Sequence, residues 1–414
     1  MRGTLSRMSQ RLRMILIALA GLILLAILIL QIPAVNSRLA WRFEVWRTYA
    51  QNVISPVGEM PTALPVTPSA SLTPRPPTPT PSASATATPT PEPLPAQVSL
   101  RSPEYEVQGI NNCGPATLAM ALRMYGSDKD QYDIAGIIKP IPQDRNVNPD
   151  ELRYYVLNET GWLRAEFRVG GNLNLLKRLL AANYAVIIEA TTALDPADAN
   201  GPNDDLWSAH YLLITGYDDI AGVVTAQDPL RGPDKKIRYE QLLADWKPFN
   251  YLYMLIYLPE DQEELQSILG DNWDPDQNRQ NALAIAKTAT VDDPNDAFAW
   301  FNLGSNLVYF DSYEEAAQAY DTARSIGLPQ RMTRYQFGPF FAYFNTDRID
   351  DLLALTEYTY RSIPNRYAEE ALLWHGWGLY RKGDVAGAIT DWNKALEVHP
   401  GYVDAQKALE LVSQ

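Results

Sequence analysis

The chain has 414 residues, a single cysteine, three histidines and a formal net charge of −14. Its length exceeds that of one ordinary domain, and one thiol excludes an intramolecular disulfide. The acidic balance argues against a nucleic-acid surface, because phosphates demand clustered cations.

The charge is uneven. Residues 1–55 hold seven Arg against Glu44, whereas 98–414 carry a net −19. Met14 to Leu30 is an unbroken apolar run that reaches Ile32 across Gln31, close to the roughly 20 residues that span a bilayer as a helix. It exceeds the apolar region of a signal peptide, and no Ala-x-Ala follows. A single, uncleaved transmembrane helix over about 14–32 is therefore expected. Four Arg precede it, which places the N-terminus in the cytoplasm and the remainder outside the cell membrane. Within the juxtamembrane part of 1–55, Trp41 and Trp46 suit the lipid interface or a continuation of the helix. Residues 56–97 hold 13 of the 31 prolines, interleaved with Thr, Ser and Ala. Such a segment builds no core and favours a disordered, polyproline-II-like stalk, reaching on the order of 100 Å at about 3.1 Å per residue.

From Val98 the composition turns globular. Residues 98–260 predict an α+β domain. A helix runs over 113–125, with Asn112 as its cap, Pro115 in its first turn and Gly126 after its end. Two further helices are expected at 150–159 and 173–182, and strands at 185–189, 210–215, 223–226 and 252–257. From 261 to 414 the pattern is helical and periodic. Pro294, Pro329, Pro364 and Pro400 recur every 35 or 36 residues.

Trp300-x-x-Leu303-Gly304 followed by Ala316, Tyr320, Ala323 and Pro329 defines one unit. His375-Gly376 followed by Ala388, Trp392, Ala395 and Pro400 defines another. The pattern resembles the tetratricopeptide repeat, which implies an all-α solenoid. The full copies are 297–330 and 369–402. Segment 333–366 lacks the Leu-Gly step, 263–296 matches only in its second half, and 403–413 is a capping helix. Small Ala positions let paired helices approach closely.

Cys113 sits where a helix should begin, and a helix N-terminus favours a thiolate. By itself it reads equally as a nucleophile or as a small buried apolar residue. A nucleophile needs a base and a group to orient that base. His375 falls at a packing position and His399 at a surface turn before Pro400, which leaves His210 at the start of His-Tyr-Leu-Leu-Ile-Thr. Asp228 ends the next strand, so adjacent antiparallel strands would bring it to His210. Asp228-Pro229 is also an ordinary turn signal.

Asn-Asn-Cys113-Gly-Pro-Ala-Thr-Leu, Ala-His210-Tyr-Leu-Leu-Ile-Thr-Gly-Tyr and Val-Thr-Ala-Gln-Asp228-Pro-Leu together resemble the double-glycine leader peptidases. These form cysteine peptidase family 39, and the likeness is greater to its stand-alone "39-like" relatives. The resemblance covers about 98–258 and implies a papain-like fold. It implies that Cys113 attacks a carbonyl carbon, that His210 acts as general base and then acid, and that Asp228 orients the imidazole. Gln108 and the Cys113 backbone N–H would bind the oxyanion. Gln108 lies five residues before the cysteine where such enzymes commonly have six, with Asn112 as a substitute donor. The implied substrate is a peptide or protein, with a protein partner or the substrate held on the repeats. The alternative is a weak or inactive peptidase-like scaffold that holds peptide without cutting it. No cofactor or metal is expected. The loop 195–205 is rich in Asp and Asn without EF-hand spacing and reads as a solvated loop near the site.

Overall fold

The computed structural model describes residues 10–30, 46, 50, 53–54, 58–65, 93–139, 141, 144, 146–194, 205–362 and 368–413. Residues 66–92 of the stalk, most of 31–57 and the loop 195–204 lie outside them, so the expectations for those segments do too. The chain divides into two compact units, 1–57 with 194–206, and 58–193 with 207–414.

In the first unit the apolar run forms one helix, α1 (Gln10–Leu30). Its described side chains are exposed, Met14 at 63% and Ile17 at 72% among them. Among the described residues no helix is long and apolar enough to cross a membrane.

The second unit opens its globular part with strand β1 (Gln97–Ser99), then helices α2 (Cys113–Arg123), α3 (Gln131–Ile138) and α4 (Pro149–Tyr155). There follow β2 (Arg164–Arg168), α5 (Leu173–Ala181), β3 (Val186–Ala193), β4 (Trp207–Asp218), β5 (Val223–Asp228), β6 (Gly232–Arg238), α6 (Tyr239–Trp246) and β7 (Tyr253–Tyr257). The described strands form one sheet in the order β2-β7-β3-β4-β5-β6, with β1 pairing β4. All of its pairings are antiparallel. This is the predicted α+β domain with two helices, Gln131–Ile138 and Tyr239–Trp246, and three strands more than predicted. Of the strands missed, the one at 232–238 is Gly-Pro-Asp-Lys-Lys-Ile-Arg, with five of its seven residues exposed. A solvated edge strand of that kind carries no hydrophobic alternation to announce it.

Opposite faces of the sheet bury separate cores. One contains α2 with Ile187, Tyr211 and Leu213. The other contains α5 with Ile188, Leu212 and Ile214. Alternation along β3 and β4 accounts for this division.

Helices follow to the end: α7 (Gln262–Leu269), α8 (Pro275–Asp292), α9 (Ala297–Tyr309), α10 (Tyr313–Ile326), α11 (Gly338–Asn345), α12 (Ile349–Arg361), α13 (Glu369–Arg381), α14 (Val385–Val398) and α15 (Val403–Val412). The repeat signature has a direct steric cause. A Cβ at Gly304 would stand 2.7 Å from the Tyr320 ring, and one at Gly376 would strike the Trp392 ring. The bulky residue of each second helix therefore packs on bare backbone of the first. Segment 333–366, without the Leu-Gly step, has a first helix of eight residues opening at Gly338-Pro339. Segment 263–296 has one long repeat helix, α8, after the short α7.

The two predicted domains pack on one another within this unit. The Trp207 ring lies 5.8 Å from Phe249, 6.5 Å from Phe298 and 6.0 Å from Tyr335. Buried Asn278 donates to Val169 O at 2.8 Å and accepts from Val169 N at 3.1 Å. Arg168 donates to the backbone carbonyls of Asn272 and Trp273.

Candidate active site

Helix α2 starts at Cys113 and lies against β4. A Cβ at Gly114 would be 3.3 Å from both Tyr211 and Val147, so glycine is the residue that allows this approach. Thr117 Oγ1 donates to Tyr211 O at 3.1 Å and holds the helix to the strand beside His210. Asn112 occupies the N-cap position, but its side chain makes no cap bond. It donates to Gln131 Oε1 at 3.2 Å instead. The expected side-chain cap is thus replaced by a tether to α3.

His210 is buried, and its Nε2–H donates to Asp228 Oδ1 at 2.8 Å. Strands β4 and β5 pair antiparallel with Leu213 opposite Gln227, the neighbouring-strand arrangement expected. A register shift between Ala226 and Asp228 interrupts the β5–β6 ladder at this point, and such irregularities re-aim a side chain. Asp228 Oδ1 also accepts from Leu230 N at 2.8 Å and Arg231 N at 3.0 Å. One oxygen of Asp228 therefore closes the turn and also accepts from the imidazole.

Electrostatics link the three groups. Burial pushes the Cys113 thiol up, but its hydrogen bond with His210, the imidazolium charge, the Tyr211 backbone N–H and Lys139 bring it below its ordinary value. Burial lowers His210, and hydrogen bonds to Asp228 and Cys113 outweigh this and raise it to about 9. Burial raises Asp228, and its bonds to His210, Arg231 and Leu230 hold it below the usual carboxylate value. Each shift favours the charged form of its group, thiolate, imidazolium and carboxylate in turn, with Nδ1 of the imidazole left to the sulfur.

Gln108 lies beside the same turn, its backbone N–H donating to Pro229 O at 2.9 Å. Its side-chain Oε1 is buried without a hydrogen-bond partner among the described residues. The loop that carries it is held by Gln131, which accepts from Gly109 N at 2.5 Å and donates to Glu106 Oε1 at 2.9 Å and Val107 O at 2.8 Å. Asn111, inside the shortened Gln108-to-Cys113 spacing, adopts a left-handed φ of 52°.

Sequence reasoning missed two buried groups here. Lys139 Nζ donates to Asn111 O at 2.7 Å and Asp144 O at 3.1 Å, fixing the approach to Cys113. Glu189 is buried across from Tyr211 in the β3–β4 register. Burial and the Cys113 charge raise it well above the carboxylate range, against a lowering bond from Tyr211. Both come from elements far from the cysteine in sequence, so no local motif marks them.

The other histidines make pairs of their own. His375 Nδ1 meets Asp391 Oδ2 at 2.6 Å. His399, expected at a surface turn, is instead largely buried and pairs with Glu369 Oε1 at 2.7 Å. Asp144, Glu369 and His399 bring one potential ligand atom each within 4.8 Å of one another. Their scattered positions explain why no ligand spacing was visible.

Residues 93–254 match the family described as Peptidase_C39 like family. The chain thus carries a C39-like peptidase-family domain, followed by a helical repeat region. A C39-like peptidase candidate from Bacillus anthracis is 18% identical over 39% of this chain and 97% of its own, with a TM-score of 0.31. MamA is 15% identical over 37% of this chain and 82% of its own, with a TM-score of 0.29. YrrB, described as a TPR protein with an unusual peptide-binding site, is 18% identical over 36% and 88%, with a TM-score of 0.19. No curated protein matches the chain.

Proposed function

We propose that the protein is a cysteine peptidase that cleaves peptide bonds through Cys113, His210 and Asp228. The observation that carries this reading is the buried His210 Nε2 to Asp228 Oδ1 bond, beside a thiol that is hydrogen-bonded to the same imidazole and lowered by it. The Cys113 thiolate attacks the carbonyl carbon of the scissile peptide, and the carbonyl π pair moves to oxygen. The Cys113 backbone N–H and the Gln108 side chain receive that oxyanion. Collapse of the tetrahedral species breaks the C–N bond, and His210 gives its proton to the leaving amine. Water, deprotonated by His210, then cleaves the thioester and returns the thiolate. Asp228 keeps the ring in the tautomer that faces Nδ1 to sulfur and stabilises its cation.

The repeat region holds substrate or a protein partner on this reading, and the apolar run at 14–32 anchors the chain in a membrane with both domains outside the cell. The exposed apolar side chains of α1 are what support the anchor.

Because Cys113 is the sole cysteine, iodoacetamide reports on it alone. Rapid labelling at neutral pH that slows at least tenfold in His210→Ala supports the peptidase, as does peptide-library cleavage lost in Cys113→Ala. Rapid labelling without cleavage of any library peptide supports the scaffold alternative.

A further inference from the structure

We propose that the repeat region carries a peptide site which reads the backbone of an extended, proline-flanked segment, and that residues 58–65 of this chain occupy it. In Gly-Glu-Met-Pro-Thr-Ala-Leu-Pro, the Pro61 carbonyl accepts from Arg324 Nε at 3.1 Å and from Arg324 Nη2 as well. The Leu64 N–H donates to Asp351 Oδ1 at 3.0 Å. Arg324 lies on α10 and Asp351 on α12, with side chains 1% and 5% exposed.

The two reading groups are held by the helices. Arg324 Nη1 donates to Tyr343 Oη at 2.7 Å, and its guanidinium lies 5.4 Å from that ring's centroid. Arg348 bridges Asp351 at 2.9 Å and Asp321 at 2.6 Å. The surface is therefore set by repeat-region contacts, and the segment adds only itself.

What the site reads follows from exposure. Met60 packs on the helical core, and Ala63 is half-buried. Thr62 is exposed and Leu64 is 51% exposed, so those side chains go unread. Recognition thus rests on a carbonyl, an N–H three residues later, and an apolar side chain before a proline. Pro61 and Pro65 bias the residues before them to extended backbone, which lowers the ordering cost of binding. Any extended peptide of the form apolar-Pro-x-small-x-Pro offers the same groups, because main-chain contacts supply affinity and pockets supply selectivity. The partner class is such a peptide on another protein, and the chain's own copy competes with it at high effective concentration.

The test uses the full chain with residues 58–65 replaced by an equal length of Gly and Ser, and a fluorescent peptide of sequence GEMPTALP. The replaced chain should bind the peptide, the unaltered chain should bind at least tenfold more weakly, and Arg324→Gln in the replaced chain should abolish binding while its helical circular dichroism is retained. Hydrogen exchange on the unaltered chain should show the Leu64 amide slowed at least tenfold relative to the free peptide. An unprotected Leu64 amide, no binding by the replaced chain, or equal binding by its Arg324→Gln variant would each overturn the proposal. None of these readouts depends on chemistry at Cys113.

Discussion

Ser208 Oγ stands 2.9 Å from Tyr335 Oη, so the repeat region grips β4 two residues before His210. Trp207, one residue earlier, stacks on Phe249 and Phe298. The strand end that carries the proposed base is thus clamped from the helical side.

Trp207→Ala removes that stacked ring, and large-to-small changes of this kind cost about 3–5 kcal/mol in a full core, less at a half-buried site. The expected result is a lower thermal midpoint together with slower alkylation of Cys113. Tyr335→Phe, which deletes one hydrogen bond, should cost about 1 kcal/mol. Scanning calorimetry on both variants checks the ranking.

Asp228→Asn keeps an oxygen for the Leu230 and Arg231 N–H groups, so the turn should survive. It removes the negative charge that raises His210. The alkaline limb of the Cys113 alkylation profile should move to lower pH, and peptide hydrolysis should fall on the order of 10²–10⁴-fold, as loss of an orienting carboxylate does elsewhere. An unshifted alkaline limb would show that Asp228 does not set the imidazole's charge.

His210 also carries a stability signature. Its pKa is raised from 6.5 to about 9 on folding, so the folded state binds the extra proton. The resulting stabilisation is fully present below about pH 6.5 and is lost as pH rises through about 9. Urea midpoints of the unaltered chain should decline across that window, and His210→Gln should flatten the decline.

Burial and the Cys113 charge raise the Glu189 carboxyl well above its ordinary value, which favours its neutral form. Glu189→Gln preserves both shape and charge state, so alkylation rate at neutral pH should stay within about twofold. A large loss would mean that the carboxyl ionises, a change worth 1.36 kcal/mol per pKa unit.

Gly304→Ala places a Cβ 2.7 Å from the Tyr320 ring. Overpacking of this order costs about 1–3 kcal/mol, read as a lower thermal midpoint. Gly126→Ala, which meets no atom within 4 Å but has φ of 87°, tests backbone strain separately.

What the sequence disclosed follows the range of the interactions involved. Cys113 at a helix start and His210 leading an apolar run are local patterns; the fold places the first as read, while the second lies inside a strand that begins earlier, at Trp207. Tyr320 and Trp392 reveal the repeats because each demands a glycine at a fixed offset. The cradle made by Gln131 and the buried Lys139 and Glu189 depends on elements that meet only after folding. The same is true of His399, whose partner Glu369 lies 30 residues away. Strand β6, exposed along most of its length, has no buried face to write into its sequence.

The central claim is that Cys113 and His210 form an ion pair at neutral pH. Ultraviolet thiolate absorbance against pH, on the unaltered chain and on His210→Ala, tests it directly because no other cysteine contributes. The account predicts a thiolate already present at neutral pH in the unaltered chain, and a titration moved to higher pH in the variant, where only the Tyr211 N–H and Lys139 still oppose burial. A thiol protonated at neutral pH in the unaltered chain, or titrating identically in both proteins, would contradict it.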